Sequence, residues 1–259
     1  MFAAIIGRTQ PSMPIHTSLW VTGLALLGAV VSAQEPHRQQ LLTTGKLRAG
    51  INAGNALTRV VGAQLARELA RRIGAEAVLI EYPTPGAVTD GVGKEWDVAF
   101  IAADPERAGA IAFTPAYVEL DATYLVRDLS AIRAVADVDQ AGATIATGRT
   151  SAYTLVLRRE LTRAELVFPA EEEAIAGLQA GTITALAGLR FGLLQIAART
   201  PGTRVLPDNI TRAQQAIGIP RANTAALAYV TSFVADVKSN GFVAAAIQQT
   251  GLPGARVAP

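Results

Sequence analysis

The sequence predicts an α/β protein with a mostly parallel sheet and helices on both of its faces. Three observations carry that expectation. Strand-like apolar runs alternate with helical stretches from Leu47 onward, and this alternation is how crossover-connected parallel sheets are built. Glycines stand where the helical patterns stop, at Gly74, Gly181 and Gly241, as helix C-termini favour. The chain is also alanine-rich and 50% hydrophobic, which suits helices packed closely on sheets.

The elements follow in order. The N-terminus reads as an export signal, with Arg8 for charge, "LWVTGLALLGAVV" as apolar core and Val31-Ser32-Ala33 as a small-residue cleavage site. The apolar run falls short of the roughly 20 residues of a membrane span, and no Cys follows it to take a lipid anchor. Residues 1–33 are expected to be removed as a signal peptide, leaving a soluble periplasmic chain that starts at Gln34. An uncleaved signal anchor is the alternative.

"LRAGI" then reads as a strand. Leu57, Val61, Leu65, Leu69 and Ile73 fall at every fourth position and form one helical stripe. "AVLIEY" is a strand, Gly86 to Val92 a weak helical turn, and "DVAFIA" a strand. "AYVELDATYLV" is a long extended segment. A second series begins near Asp121. "ATIAT" is a strand, "SAYTLVLRREL" a helix and "AELVF" a strand. "AEEEAIAGLQA" is a helix with its acids at the positive end of its dipole. "ITALAGL" and "TRVLP" are strands on either side of the helical "FGLLQIAAR". After "QQAIGIP" a helix sets Leu227, Val230, Val234 and Val237 on one face, and a last short helix follows. These patterns leave open whether there are one or two α/β units.

Composition narrows the chemistry. The chain has no Cys and two His. His16 lies in the signal and His37 in a segment expected to be loose. Cys/His zinc sites and Ser-His-Asp or Cys-His catalytic pairs are thereby excluded from the folded part. No cofactor or metal is expected. The net charge is +2. The densest basic spots, Arg71-Arg72 and Arg158-Arg159, lie at helix ends with few aromatics among them, so they read as solvated faces and not as a nucleic-acid surface.

One stretch is chemically pointed. After "DVAFIA" comes Asp104-Pro105-Glu106-Arg107, which is helix-start chemistry, with Asp104 as cap and Pro105 in the first turn. Arg107 is thus held just past a strand end, where open α/β sheets bind ligands. A guanidinium there can grip a carboxylate with two parallel bonds. Local chemistry alone favours the plainer reading, an ordinary capped surface helix whose Arg faces water.

The wider phrase "WDVAFIAADPERAGAIAFTPAYVELDATYLV" resembles the solute-binding proteins of ABC importers, in particular the polar amino-acid-binding branch. The resemblance extends to "GKLRAGINAGNALTRVVGAQLARELARRIG", "AGATIATGRTSAY", "AIAGLQAGTITALAGL" and the closing "QAIGIPRANTAALAYVTSFVADVKSNGFVAAAIQQTG". It implies a two-lobed periplasmic binding protein fold, each lobe a mixed, mostly parallel sheet flanked by helices, with ligand in the cleft. The two hinge crossings would fall near Glu119 to Asp121 and Asn209 to Gln214. Lobe 1 would comprise residues 46–120 and 213–259, and lobe 2 residues 121–212.

The resemblance also implies site residues. Arg107 aligns with the arginine that binds the ligand's α-carboxylate. Thr150 and Ser151 stand where hydroxyls and helix N–H groups face the same carboxylate, and a helix N-terminus favours an anion in any case. Either hydroxyl could instead serve only as a helix N-cap. Asn52 is a polar contact after the first strand, while Asn55 reads as a cap. Ala102 occupies a ligand-facing position where the family usually has Ser or Thr. Gly188 stands where the family has the Asp that meets the ligand's ammonium, so an ordinary α-amino acid held by both charged groups is not expected. Asp121 and Glu119 are the nearest acids that could compensate. Arg190 would add charge to the cleft or point to solvent.

The function these readings imply is capture of a small carboxylate-bearing solute by lobe closure and its delivery, by a monomer, to the membrane permease of an ABC importer. The alternatives are an accessory or sensory binding protein of another periplasmic pathway, such as alcohol oxidation, and a dehydratase-type enzyme on the same fold. Chemistry of the last kind needs a general acid or base, and the mapped strand ends offer no His, Cys or paired carboxylates.

Overall fold

A computed structural model describes residues 35–259. The expected signal segment and its cleavage site lie outside the described residues. Eleven strands form one continuous sheet of mixed direction. Two parallel triads stand at its ends. The first joins β1 (Leu47–Asn52) to β2 (Ala77–Tyr82) and β3 (Val98–Ala102). The second joins β6 (Thr144–Ala146) to β7 (Glu165–Val167) and β8 (Ala185–Leu189).

Between the triads run two long antiparallel strands, β5 (Val118–Arg127) and β10 (Thr211–Pro220). Short strands β4 (Ile111–Phe113), β9 (Thr203–Val205) and β11 (Ala255–Val257) add to their edges. In the register of β5 with β10, Arg212 faces Asp121 and Gln214 faces Glu119. The two stretches expected as crossings are therefore paired with each other.

The strand side chains alternate between cores, as a period of two requires. Val98, Phe100 and Ala102 enter the largest core, whereas Ala99 and Ile101 enter a second core with Trp96. On β5, Val118 and Leu120 belong to that largest core, but Tyr124 and Val126 belong to a third and Leu125 to a fourth. One strand thus passes from the cores of one half to those of the other. Together with the sheet order, this is the two-lobed α/β architecture.

Helices close both faces. They are α1 (Glu35–Leu41), α2 (Ala63–Arg72), α3 (Pro85–Asp90), α4 (Ala152–Glu160), α5 (Glu171–Ala180), α6 (Arg190–Arg199), α7 (Thr224–Ser239) and α8 (Phe242–Thr250). The stripe from Leu57 to Ile73 is buried throughout. An every-fourth-residue stripe drifts by about 40° per step on an ideal α-helix. A π-helical turn at Thr58–Gly62 precedes α2, and by taking in about one extra residue it keeps the stripe facing the core.

Two expectations need correction, and two strands are new. His37 lies in α1, not in a loose segment, and its ring stacks on Tyr229 at 4.1 Å between centroids. Ile111–Phe113 and Ala255–Val257, which the sequence reading assigned to no element, form strands β4 and β11 along β10 and β5. Asp104 caps only a single 3₁₀ turn, Pro105–Arg107.

Candidate ligand cleft

The C-terminal ends of β1, β3, β6 and β8 converge on a cavity of about 410 Å³. Asn52, Ala102, Arg107, Thr150 and Ser151 all line it. Five residues spread across the sequence are thus brought to one place, at the strand ends where parallel sheets bind ligands.

Arg107 is 5% exposed. The Asp104 carboxylate accepts from the Glu106 N–H at 2.9 Å and so sets the tight turn that aims the guanidinium inward. Arg107 donates from Nη1 to the Ala102 carbonyl and from Nη2 to the Thr150 carbonyl, the latter at 2.7 Å. A guanidinium carries five N–H donors. Among the described residues, the remaining donors of Arg107 meet no carboxylate within ion-pair distance. Burial pushes its pKa down from the ordinary arginine value, against the weaker pull of Asp104 and Glu106. Those two acids are engaged by Arg159, at 3.1 and 3.4 Å.

Thr150 and Ser151 lie in the turn between β6 and α4. The Thr150 hydroxyl accepts from the Gly86 N–H at 3.1 Å, so it touches the opposite wall. A Cβ on Gly86 would sit 2.8 Å from Thr150 Cγ2, which is why glycine is needed there. Ser151 occupies the N-cap position of α4 but makes no capping bond. Neither hydroxyl caps α4. The backbone N–H groups of Ala152 and Tyr153, which open the helix, have no protein acceptor among the described residues and both residues line the cavity.

Asn55 caps, as expected, accepting from the Leu57 and Thr58 N–H groups at 3.0 and 3.2 Å. Asn52 does not. It is 7% exposed, its Oδ1 is buried without a partner, and it faces the cavity.

Two residues escaped the sequence reading. Gln215 lines the cavity at 2% exposure and accepts from the Thr58 hydroxyl at 3.2 Å. Its signal was a polar residue on the inward face of β10, between Ala213 and Ile217. Arg149 lines the mouth of the cavity with its guanidinium 4.2 Å over the Phe168 ring. The cavity lining thus holds two arginines and no acid.

Other expectations fall. Arg190 neither enters the cleft nor points to solvent. It donates to the carbonyls of Leu206, Pro207 and Asp208 and to Asn209 Oδ1, tying down the loop before β10. Asp121 and Glu119 do not compensate for Gly188, because Arg256 holds both, at 2.7 and 2.9 Å, and neither lines the cavity. Arg159 is not a free surface cation but reaches across to Asp104.

The sequence pattern of the bacterial extracellular solute-binding proteins, family 3, matches residues 60–250. The chain belongs to that family. No curated protein matches it in sequence. Among solved structures, an amino acid ABC transporter substrate-binding protein from Streptococcus pneumoniae bound to L-arginine superposes with a TM-score of 0.67 at 19% identity, covering 84% of this chain and 99% of that one. A mutant of ArgBP from T. maritima gives 0.65 at 20% identity, covering 82% and 98%. The ancestral amino acid-binding protein AncCDT-1, described as a precursor of cyclohexadienyl dehydratase, gives 0.65 at 17% identity, covering 82% and 97%. At these identities the likeness is one of fold. Among the described residues, no helix of this family-3 protein is long and apolar enough to cross a membrane.

Proposed function

We propose that this protein is a periplasmic solute-binding protein that captures a small organic carboxylate in the cleft and, as a monomer, delivers it to an ABC importer. The observation that carries the reading is Arg107, a buried guanidinium whose only protein partners among the described residues are two backbone carbonyls. Burying a cation without an anion is costly, and arginine cannot escape by losing its proton. A ligand carboxylate supplies the missing charge. Thr150, Ser151 and the free N–H groups of α4 stand ready for its second oxygen. Ala102 contributes wall and a carbonyl that steadies Arg107, and Asn52 offers an acceptor to a ligand hydroxyl or N–H.

The absence of an acid in the cavity lining supports a ligand without a buried ammonium. Such an ammonium would meet Arg107 and Arg149 and no carboxylate. We place the lobes at residues 46–120 with 213–259, and at 121–212. Arg107 with Thr150, Asp104 with Arg159 and Gly86 with Thr150 then all join one lobe to the other, the contacts expected of a closed form.

Calorimetric titration with matched pairs, an amino acid against its deaminated analogue, tests this reading. Binding of the deaminated acid that is lost in Arg107→Ala supports it. Tight binding of the amino acid alone, or undiminished binding by Arg107→Ala, overturns it. The enzyme reading finds no support in the cavity lining, which has no His and no carboxylate to move a proton.

A further inference from the structure

Beside the cleft lies a second cavity of about 330 Å³. It shares Gly54, Gly148, Tyr153 and Leu189 with the first, so the two are chambers along one wall. Their chemistry differs. The first carries the arginines and the helix N-terminus. The second is walled by Leu186, Leu189, Phe191, Leu193 and Ile196. Its single charged lining residue, Glu171, is exposed and paired with Arg199. The Thr147 hydroxyl there is already bonded to Thr154 at 2.7 Å.

One glycine leaves open space at this chamber, whereas the space over Gly188 on β8 is filled by Leu193, whose Cδ2 would stand 2.9 Å from a Cβ there. On α6, a Cβ at Gly192 would meet nothing within 4 Å. Apart from Thr147, Tyr153 and Glu171, the side chains that line it are apolar, so an apolar group finds van der Waals contact there.

We infer that the second chamber receives the body of the ligand, so that the solute is a carboxylate bearing a branched-alkyl or single-ring aryl group. The inference rests on the carboxylate reading. The head is held at Arg107, and the apolar body passes Leu189 into the space beside Gly192. Small hydrophilic dicarboxylates would leave the chamber unused.

The test is calorimetric titration of the purified protein with acetate, 3-methylbutanoate, phenylacetate and succinate, repeated on Gly192→Leu and Arg107→Ala. Each buried methylene is worth about fourfold in affinity. 3-Methylbutanoate and phenylacetate should therefore bind roughly tenfold or more tighter than acetate. Gly192→Leu fills the chamber and should erase that gain while leaving acetate unchanged. Leucine is a better helix former than glycine, and Gly192→Ala gives a smaller step of the same sign if the larger variant fails to fold. Equal binding of acetate, succinate and phenylacetate, all abolished in Arg107→Ala, overturns the chamber's role but leaves the carboxylate reading intact. No binding of any carboxylate by the wild type overturns both.

Discussion

Two arginines, at opposite ends of the same parallel triad, make the sharpest contrast in the molecule. At the N-terminal end of β1, Arg48 donates from Nε and Nη2 to both oxygens of Asp97, at 3.1 and 2.8 Å. Asp97 is 1% exposed and also accepts from the Arg48 backbone and from Thr43. At the C-terminal end of β3, Arg107 is buried, more deeply than the half-buried Arg48, but has only carbonyls. The first cation is neutralised within the chain and holds the fold. The second has no carboxylate within ion-pair distance among the described residues, and that difference is what the proposed carboxylate ligand would make good.

The largest effect should come from breaking the complete pair. Asp97→Ala strands Arg48 and removes four hydrogen bonds. A loss of about 3–5 kcal/mol of stability is expected, read by urea denaturation. A loss under about 1 kcal/mol would put Asp97 in the same class as exposed pairs.

Arg107→Ala should do the reverse, costing little stability but about 2–5 kcal/mol of carboxylate affinity. Arg107→Lys should fall between, since it keeps the charge without the two-pronged geometry. If Arg107→Ala unfolds the protein as Asp97→Ala does, the contrast collapses.

A third arginine lies between these extremes. Arg159 reaches Asp104 and Glu106 across the cleft with 42% of its side chain exposed. Arg159→Ala should lower ligand affinity only a few-fold, within the about 0–1 kcal/mol of exposed pairs. The change should appear as faster dissociation in stopped-flow measurements. An unchanged dissociation rate would remove Arg159 from the closure contacts.

The smallest effect belongs to His37, which burial against Tyr229 holds below the ordinary histidine pKa. Its folded form resists the proton that its unfolded form accepts near pH 6.5. Stability should therefore fall as pH drops from about 7.5 to 5.5 through that value. His37→Gln should flatten this limb of a melting-temperature profile, and an unaltered slope would show that other groups set it. Histidine without a counter-ion gives up its charge, which Arg107 cannot do.

The legibility of these features varied for physical reasons. The stripe from Leu57 to Ile73 and the run from Val98 to Ala102 were plain because burial leaves a periodic mark. The turn that carries Arg107 was legible through Asp104 and Pro105, but its burial was not, because local chemistry pointed the side chain to water and only the family resemblance turned it inward. Gln215 was not, because one polar residue inside an apolar strand has no local signature and its role depends on Thr58, far away in sequence. Arg190 and Arg159 were misread for the same reason, since their partners, the 206–209 loop and Asp104, are set only by tertiary structure. Strands β4 and β11 are too short to show a period at all.

The pairing of the two crossings has a mechanical consequence. Five consecutive residue pairs, from Thr211 with Ala122 to Gln215 with Val118, lock the passages between the halves into one ribbon. Two independent tethers would permit sliding and splaying in any direction. A hydrogen-bonded ribbon resists shear and stretching, yet antiparallel strands tolerate a wide range of twist. The softest motion between the halves of this protein is therefore a twist of that ribbon, and closure of the proposed cleft would show at the outer surface as an angle.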